Sequence, residues 1–296
     1  VAALLQTEKV MTAGVYAPKS IVLYLREIRY LLQYYPDLSP ENITEQHIID
    51  YMLYLRNTLQ SSRAKCRMFA HGTSFFFRHV LKRPFVLPSK LYPRREFKLP
   101  VVLSTDEIKK ILSSCESMKQ QCIIESLYSS GLRLEEFRWL KMADIEAKQN
   151  RIHVSNGKGN KERYTILSQR CLENLRQYYR QCENKPQVYL FEGHSPGKPM
   201  HARSIQHTVA AAYKKAGLIH KGHKVHALRH SFATHLLDNG VDIHTIKELL
   251  GHSKIETTMV YLHLQVSKRN LLISPLDALY KPSNEIAVIE KGKKLL

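Results

Sequence analysis

The sequence predicts a mainly α protein with a small β-hairpin or sheet (α+β), built as an N-terminal helical module followed by a larger C-terminal domain. Three observations carry that expectation. Helical spacing of apolar residues recurs along most of the 296 residues. Alternation suited to strands is concentrated in residues 151–167. Four prolines, Pro84, Pro88, Pro93 and Pro100, break the chain between the two regions.

Taken in order, residues 19–35, 44–58 and 61–80 carry three amphipathic helical patterns. The second has two candidate starts, Ser39-Pro40-Glu41 and Thr44. The third interleaves Arg63, Lys65, Arg67, His71 and Arg78 with Phe75, Phe76 and Phe77. The phenylalanines are expected to face inward while the cations stay wet and reach for anions. Residues 1–92 form the helical module and residues 93–101, with Arg94, Arg95 and Lys98, a basic linker.

The C-terminal domain, residues 102–296, is expected to begin with helices at 105–117 and 118–128 and another around Arg133. Residues 151–167, RIHVSNGKGNKERYTIL, then read as two short strands, 152–154 and 163–166, joined by an Asn-Gly/Lys-Gly turn. Helices at 168–181 and 202–216 follow. In the next segment Leu228, Phe232, Leu236 and Leu237 share one helical face, so His226 and Arg229, three apart, project together. Asn239-Gly240 tolerates positive φ and ends that helix. Val241, Ile243, Ile246, Leu249 and Leu250 rebuild an apolar stripe that stops at Gly251. His252 follows at once, and Tyr261 lies nine residues later in a short helical pattern at 256–262.

Composition narrows the partner. The 45 Lys and Arg exceed the 26 Asp and Glu to give +19, an excess that favours a polyanion and predicts salt-dependent binding. Nucleic acid fits best, because the sequence shows no apolar run of membrane-spanning length, no signal peptide and no amphipathic anchor with a clean basic face. A cytoplasmic protein is expected. Cys66, Cys115, Cys122, Cys171 and Cys182 are odd in number and lack metal-ligand spacing, so they read as reduced thiols. The Gly157–Lys161 turn lacks the spacing of a nucleotide-binding loop.

Each conspicuous side chain has an ordinary reading. A lone arginine on a helix is usually solvated, His226, His230 and His235 could be core or cap residues, and most tyrosines pack amphipathic faces. The conjunction is what counts. Arg, His and Tyr at these intervals suit the grip of one phosphodiester, and a tyrosine hydroxyl, with a pKa of about 10, needs neighbours that stabilise developing charge.

The runs HALRHSFATHLL, LLGHS and TTMVY resemble the C-terminal signature of tyrosine recombinases of Xer and phage-integrase type. SSGLRLEEFRWL and the G-K-G-x-K-x-R hairpin resemble the family's two upstream signatures. The resemblance implies an N-terminal core-binding, SAM-like DNA-binding domain and a catalytic domain. It maps the catalytic set onto Arg133, Lys158, His226, Arg229, His252 and Tyr261, with Glu136 in support. Arg63, Lys65, Arg67, Arg94, Arg95, Lys161 and Arg163 are the candidate DNA contacts.

The implied chemistry is attack by Tyr261 on a scissile phosphate, giving a 3′-phosphotyrosyl link and a free 5′-hydroxyl without ATP, metal or cofactor. Arg133 and Arg229 hold nonbridging oxygens, Lys158 protonates the leaving oxygen, His226 helps remove the Tyr261 proton, His252 donates to the phosphate, and Glu136 orients His226 or an arginine. Implied partners are double-stranded DNA with inverted-repeat sites and a homotetramer formed on paired sites, with an accessory DNA-bending protein as a further candidate. A nucleoid-associated bacterial enzyme of a mobile element, or an Xer-like resolvase, is the expected setting. Rival readings are an integron integrase, which the SPLDAL tail resembles although that group's extra insertion is absent, a type IB topoisomerase, an idle DNA-binding regulator and an RNA enzyme. The apolar residues Ile286, Ala287, Val288 and Ile289 suggest a tail that docks on a neighbour or on its own domain.

Overall fold

A computed structural model describes residues 2–83, 99–155, 162–222 and 224–264. Arg94 and Arg95 of the linker, Lys158 and Lys161 of the hairpin turn, and the tail with its SPLDAL and Ile286–Ile289 segments lie outside the described residues. The chain divides into two compact units, Val1–Lys98 and Leu99–Leu296.

In the first unit, α1 (Ala2–Ala13), α2 (Pro18–Tyr34), α3 (Glu45–Asn57) and α4 (Arg63–Phe75) pack around Ile28, Leu31, Ile48, Leu55 and Phe69. Proline stands at the first turn of α2, where its missing N–H is no loss. Thr44, the second of the two candidate starts, caps α3: its hydroxyl accepts from the His47 N–H, and His47 Nδ1 accepts from the Thr44 N–H at 3.0 Å. Helix α4 runs into a π-helical turn, Phe76–Val80. The wider turn brings successive side chains closer in angle, and Phe75, Phe76 and Phe77 are all buried. Helix α1 is not among the sequence expectations, because its apolar residues start as a run rather than a stripe and its buried face includes Thr7.

The second unit contains α5 (Thr105–Ser113), α6 (Met118–Ser130), α7 (Leu134–Arg138), β1 (Ile145–Glu146), β2 (Arg151–Val154), β3 (Arg163–Ile166), α8 (Gln169–Gln181), α9 (Ala202–Lys215), α10 (Lys224–Asp238), α11 (Ile243–Leu250) and α12 (Glu256–Met259). The strands form an antiparallel sheet in the order β1-β2-β3, with Arg151 opposite Ile166 and Val154 opposite Arg163. Helix α5 ends earlier than the pattern at 105–117 suggests, since Ser117 caps α6 by accepting from the Gln120 N–H. The last helical pattern is likewise shorter, α12 giving way to a 3-10 turn at Leu262–Leu264. The main core gathers Ile123, Ile124, Leu127, Ile205, Val209 and Leu228. A smaller cluster of Phe232, Leu237, Ile246 and Leu250 encloses the ring of Tyr261.

Two left-handed glycines stop helices beside the site. Gly131 ends α6 at φ +61° and Gly251 ends α11 at φ +63°. At Gly131 a Cβ would sit 2.6 Å from Phe232 Cε1, so the close approach of α6 to α10 requires glycine there.

Candidate active site

The elements that carry the site meet at the ends of α6 and α11. Arg133 is the N-cap of α7 rather than a residue within a helix, and its backbone N–H donates to Glu136 Oε2 at 2.8 Å. Its guanidinium donates through Nη1 to Glu136 Oε1 at 2.7 Å and through Nη2 to the Gly251 carbonyl at 3.1 Å. Arg229, on α10, is almost wholly buried. It donates to the carbonyls of Gly131 and Leu250 and, through Nη2, to His252 Nε2 at 3.1 Å. The carbonyl-rich C-termini of α6 and α11 thereby receive guanidinium donors.

Arg163 is a correction to the expected set of DNA contacts. On β3 it faces inward with only 9% of its side chain exposed, forks onto Glu136 at 2.9 and 2.7 Å, and donates from Nε to the Leu249 carbonyl at 2.9 Å. Its donors serve the interior, so it builds the site instead of reaching outward.

Glu136 is the carboxylate common to this cluster, with Arg229 Nη1 3.9 Å from its Oε2. Burial alone would raise its pKa, but the Arg163 hydrogen bonds and charge, and then those of Arg133, outweigh burial and hold it at about 2. Of the two kinds of partner expected for Glu136, the arginines are the ones it bonds at 2.7 to 2.9 Å. Burial, followed by the nearby Arg133 charge, lowers the Arg229 pKa to about 9, which leaves it a cation at neutral pH. Among the described residues, three arginines around one carboxylate leave two positive charges unmatched by side chains.

Arginine has no acceptor, so His252 Nε2 receives the Arg229 hydrogen bond and Nδ1 carries the proton that bonds Thr258 Oγ1 at 2.9 Å. Burial, then Arg229, Arg133 and Arg163, lower the His252 pKa to about 3, so the ring is neutral at pH 7. Tyr261 is 1% exposed, and its hydroxyl lies 3.0 Å from His230 Nδ1. Burial raises its pKa, while Arg229 and then Arg133 pull it back.

Arg133, Glu136, Arg229, His252 and Tyr261 are therefore brought together. His226 stands exposed one turn before His230, and the imidazole at the Tyr261 hydroxyl is that of His230. The sequence does hold the signal for His230, which follows Arg229 directly and lies four residues after His226 on α10. Among the described candidate DNA contacts of the first unit, Arg63 on α4 is exposed, and Lys65 and Arg67 are partly so, with the Lys65 ammonium 5.7 Å from the Tyr30 ring centre. An inward-facing set of cations with a tyrosine hydroxyl and a neutral imidazole beside it suits an anion that is to be attacked. Among the described residues no helix is long and apolar enough to cross a membrane.

Comparison with known proteins identifies the family. The phage integrase family matches residues 101–268, and the phage integrase N-terminal SAM-like domain matches residues 4–86. The y4qK protein of Sinorhizobium fredii is 33% identical over 88% of this chain and 83% of its own length. The tyrosine recombinase XerD of Rickettsia bellii is 32% identical over 91% of this chain and 97% of its own. Among solved structures, XerA recombinase aligns over 95% of this chain and 98% of its own with a TM-score of 0.53 and 27% identity. XerH bound to palindromic difH aligns over 87% and 80% with a TM-score of 0.71 and 22% identity, a likeness of fold. With helices, sheet and arginine cluster arranged in this way, the chain belongs to the phage integrase family and is a tyrosine recombinase.

Proposed function

We propose that this enzyme performs site-specific strand exchange on double-stranded DNA, with Tyr261 attacking a phosphate to form a 3′-phosphotyrosyl intermediate. The observation that carries the reading is the burial of the Tyr261 hydroxyl in a site where Arg133 and Arg229 bring unmatched positive charge. Both arginines hold the nonbridging oxygens in bonds that strengthen as the pentacoordinate state forms. Glu136 fixes the fork of Arg133 from behind. His252 turns donor once the phosphate's charge draws a second proton onto its ring. Lys158 protonates the departing 5′-oxygen.

Arg63, Lys65, Arg67, Arg94, Arg95 and Lys161 are assigned to the DNA backbone. The acting form is a homotetramer on two inverted-repeat sites, which makes and resolves a Holliday junction at the nucleoid in the service of a mobile element or of Xer-like resolution. An accessory DNA-bending protein is a further partner of the same assembly. Solved relatives lend support: XerH is captured with difH after cleavage, and lambda integrase as a tetramer bound to a Holliday junction.

The test is denaturing electrophoresis after incubation in EDTA with nicked suicide DNA bearing inverted repeats. A covalent band with the unaltered chain that disappears in Tyr261→Phe, while DNA binding persists, is the expected result. An adduct that survives in Tyr261→Phe removes Tyr261 from the role.

A further inference from the structure

We propose that His230 is a further catalytic residue: its Nδ1 holds the Tyr261 hydroxyl and takes the phenolic proton as the tyrosine attacks. This rests on Tyr261 being the nucleophile. The two rings stand with centroids 5.8 Å apart and a hydrogen bond of 3.0 Å between Nδ1 and the hydroxyl, and the tyrosine is enclosed by the Phe232, Leu237, Ile246 and Leu250 cluster. Helix α10 presents Arg229 and His230 as neighbours, so a single rigid element places one group on the phosphate and the next on the attacking oxygen.

The step balances. The phenolic O–P bond forms as the P–O5′ bond breaks, the phenolic proton passes to Nδ1, and the leaving 5′-oxygen takes a proton from the acid, assigned above to Lys158. In rejoining, a 5′-hydroxyl attacks the phosphotyrosine and His230 returns its proton to the departing tyrosine.

The groups facing His230 are His226 and Arg229 on its own helix, His252 before α12 and Tyr261 after it. Burial, then His226 and Arg229, lower its pKa to about 4, so its lone pair is free at neutral pH. An incoming phosphate offsets the arginine charge and raises the ring's proton affinity when the proton must move.

The experiment measures single-turnover adduct formation on nicked suicide DNA for the unaltered chain, His230→Ala, His230→Asn and Tyr261→Phe, from about pH 4 to 10. His230→Ala is expected to slow adduct formation at neutral pH by about 100-fold, with DNA affinity held within about twofold and partial rescue by added imidazole. His230→Asn, which retains a hydrogen-bonding group near the Nδ1 position but accepts no proton, stays equally slow, and both variants gain rate as hydroxide rises. Wild-type rates in either variant overturn the proposal, as does an Asn variant that keeps the unaltered pH profile. An adduct lost in Tyr261→Phe but unimpaired in the His230 variants defeats this assignment alone. An adduct that persists in Tyr261→Phe defeats the nucleophile reading beneath it.

Discussion

Replacing Glu136 by Gln removes the charge that three arginines share while keeping the side chain's size. The folded carboxyl titrates at about 2 against an ordinary 4.5, with 7% of the residue exposed. That difference of ~2.5 units corresponds to about 3 kcal/mol of stability at neutral pH. Because the folded value is depressed, the contribution is fully present above about pH 4.5 and fades as pH falls toward 2. Trp139, the sole tryptophan of the sequence, closes α7 and reports on this domain by fluorescence during urea unfolding. At a slope of ~2 kcal/mol per molar, the Gln variant should lose about 1.5 M in midpoint at pH 7, and the gap to the unaltered chain should shrink below pH 4.5. A loss below ~0.3 M, or a gap that stays constant down to pH 2, refutes the view that this carboxylate holds the arginines together.

Three other perturbations bear on the same site. Gly131→Ala should lower stability by about 2–4 kcal/mol, from left-handed strain and collision with Phe232, and should also slow adduct formation because the Gly131 carbonyl holds Arg229; thermal unfolding and the suicide-DNA assay read both. Arg163→Lys gives up the fork onto Glu136 and should cost about 2–3 kcal/mol of stability with DNA affinity nearly unchanged; a large fall in affinity in filter binding would return Arg163 to the DNA surface. Lys158→Ala should slow cleavage of ordinary DNA by about 100-fold or more but act normally on DNA with a 5′-phosphorothiolate, whose sulfur leaves unprotonated; absence of rescue moves the acid role elsewhere.

Much of this arrangement is legible in the sequence where local rules act. The Thr44 cap, the strands at 152–154 and 163–166 and the helices ending at Gly240 and Gly251 follow from turn chemistry and apolar spacing. The motif resemblance places Arg133, Glu136, Arg229, His252 and Tyr261, and the fold brings them together. What is not legible is which group bonds which. Alternation on β3 would send Tyr164 and Ile166 inward as the apolar pair, yet both are exposed while Arg163 and Thr165 point in. The interior there is polar because Glu136 and the Ser130 carbonyl await those side chains, and both lie far away in sequence. His226 and His230 share a helical face, so spacing alone could not say which meets Tyr261; that depends on where α12 returns. Helix α1 escapes notice because a threonine, Thr7, interrupts the inward face that Ala3, Leu4 and Met11 otherwise make apolar.

The arginines also rest on backbone oxygens: those of Gly131, Leu249, Leu250 and Gly251, at the ends of α6 and α11. Part of the site's counter-charge therefore belongs to no side chain. It does not titrate, and no truncation of a side chain deletes it, so an alanine scan of polar residues would undercount the electrostatics of this centre. Two residues with no functional group, Gly131 and Gly251, decide where those helices stop and hence where the fractional negative charge lies. Changes in strand-transfer activity at either glycine would register the placement of a dipole, a variable that chain geometry sets and ordinary mutagenesis seldom isolates.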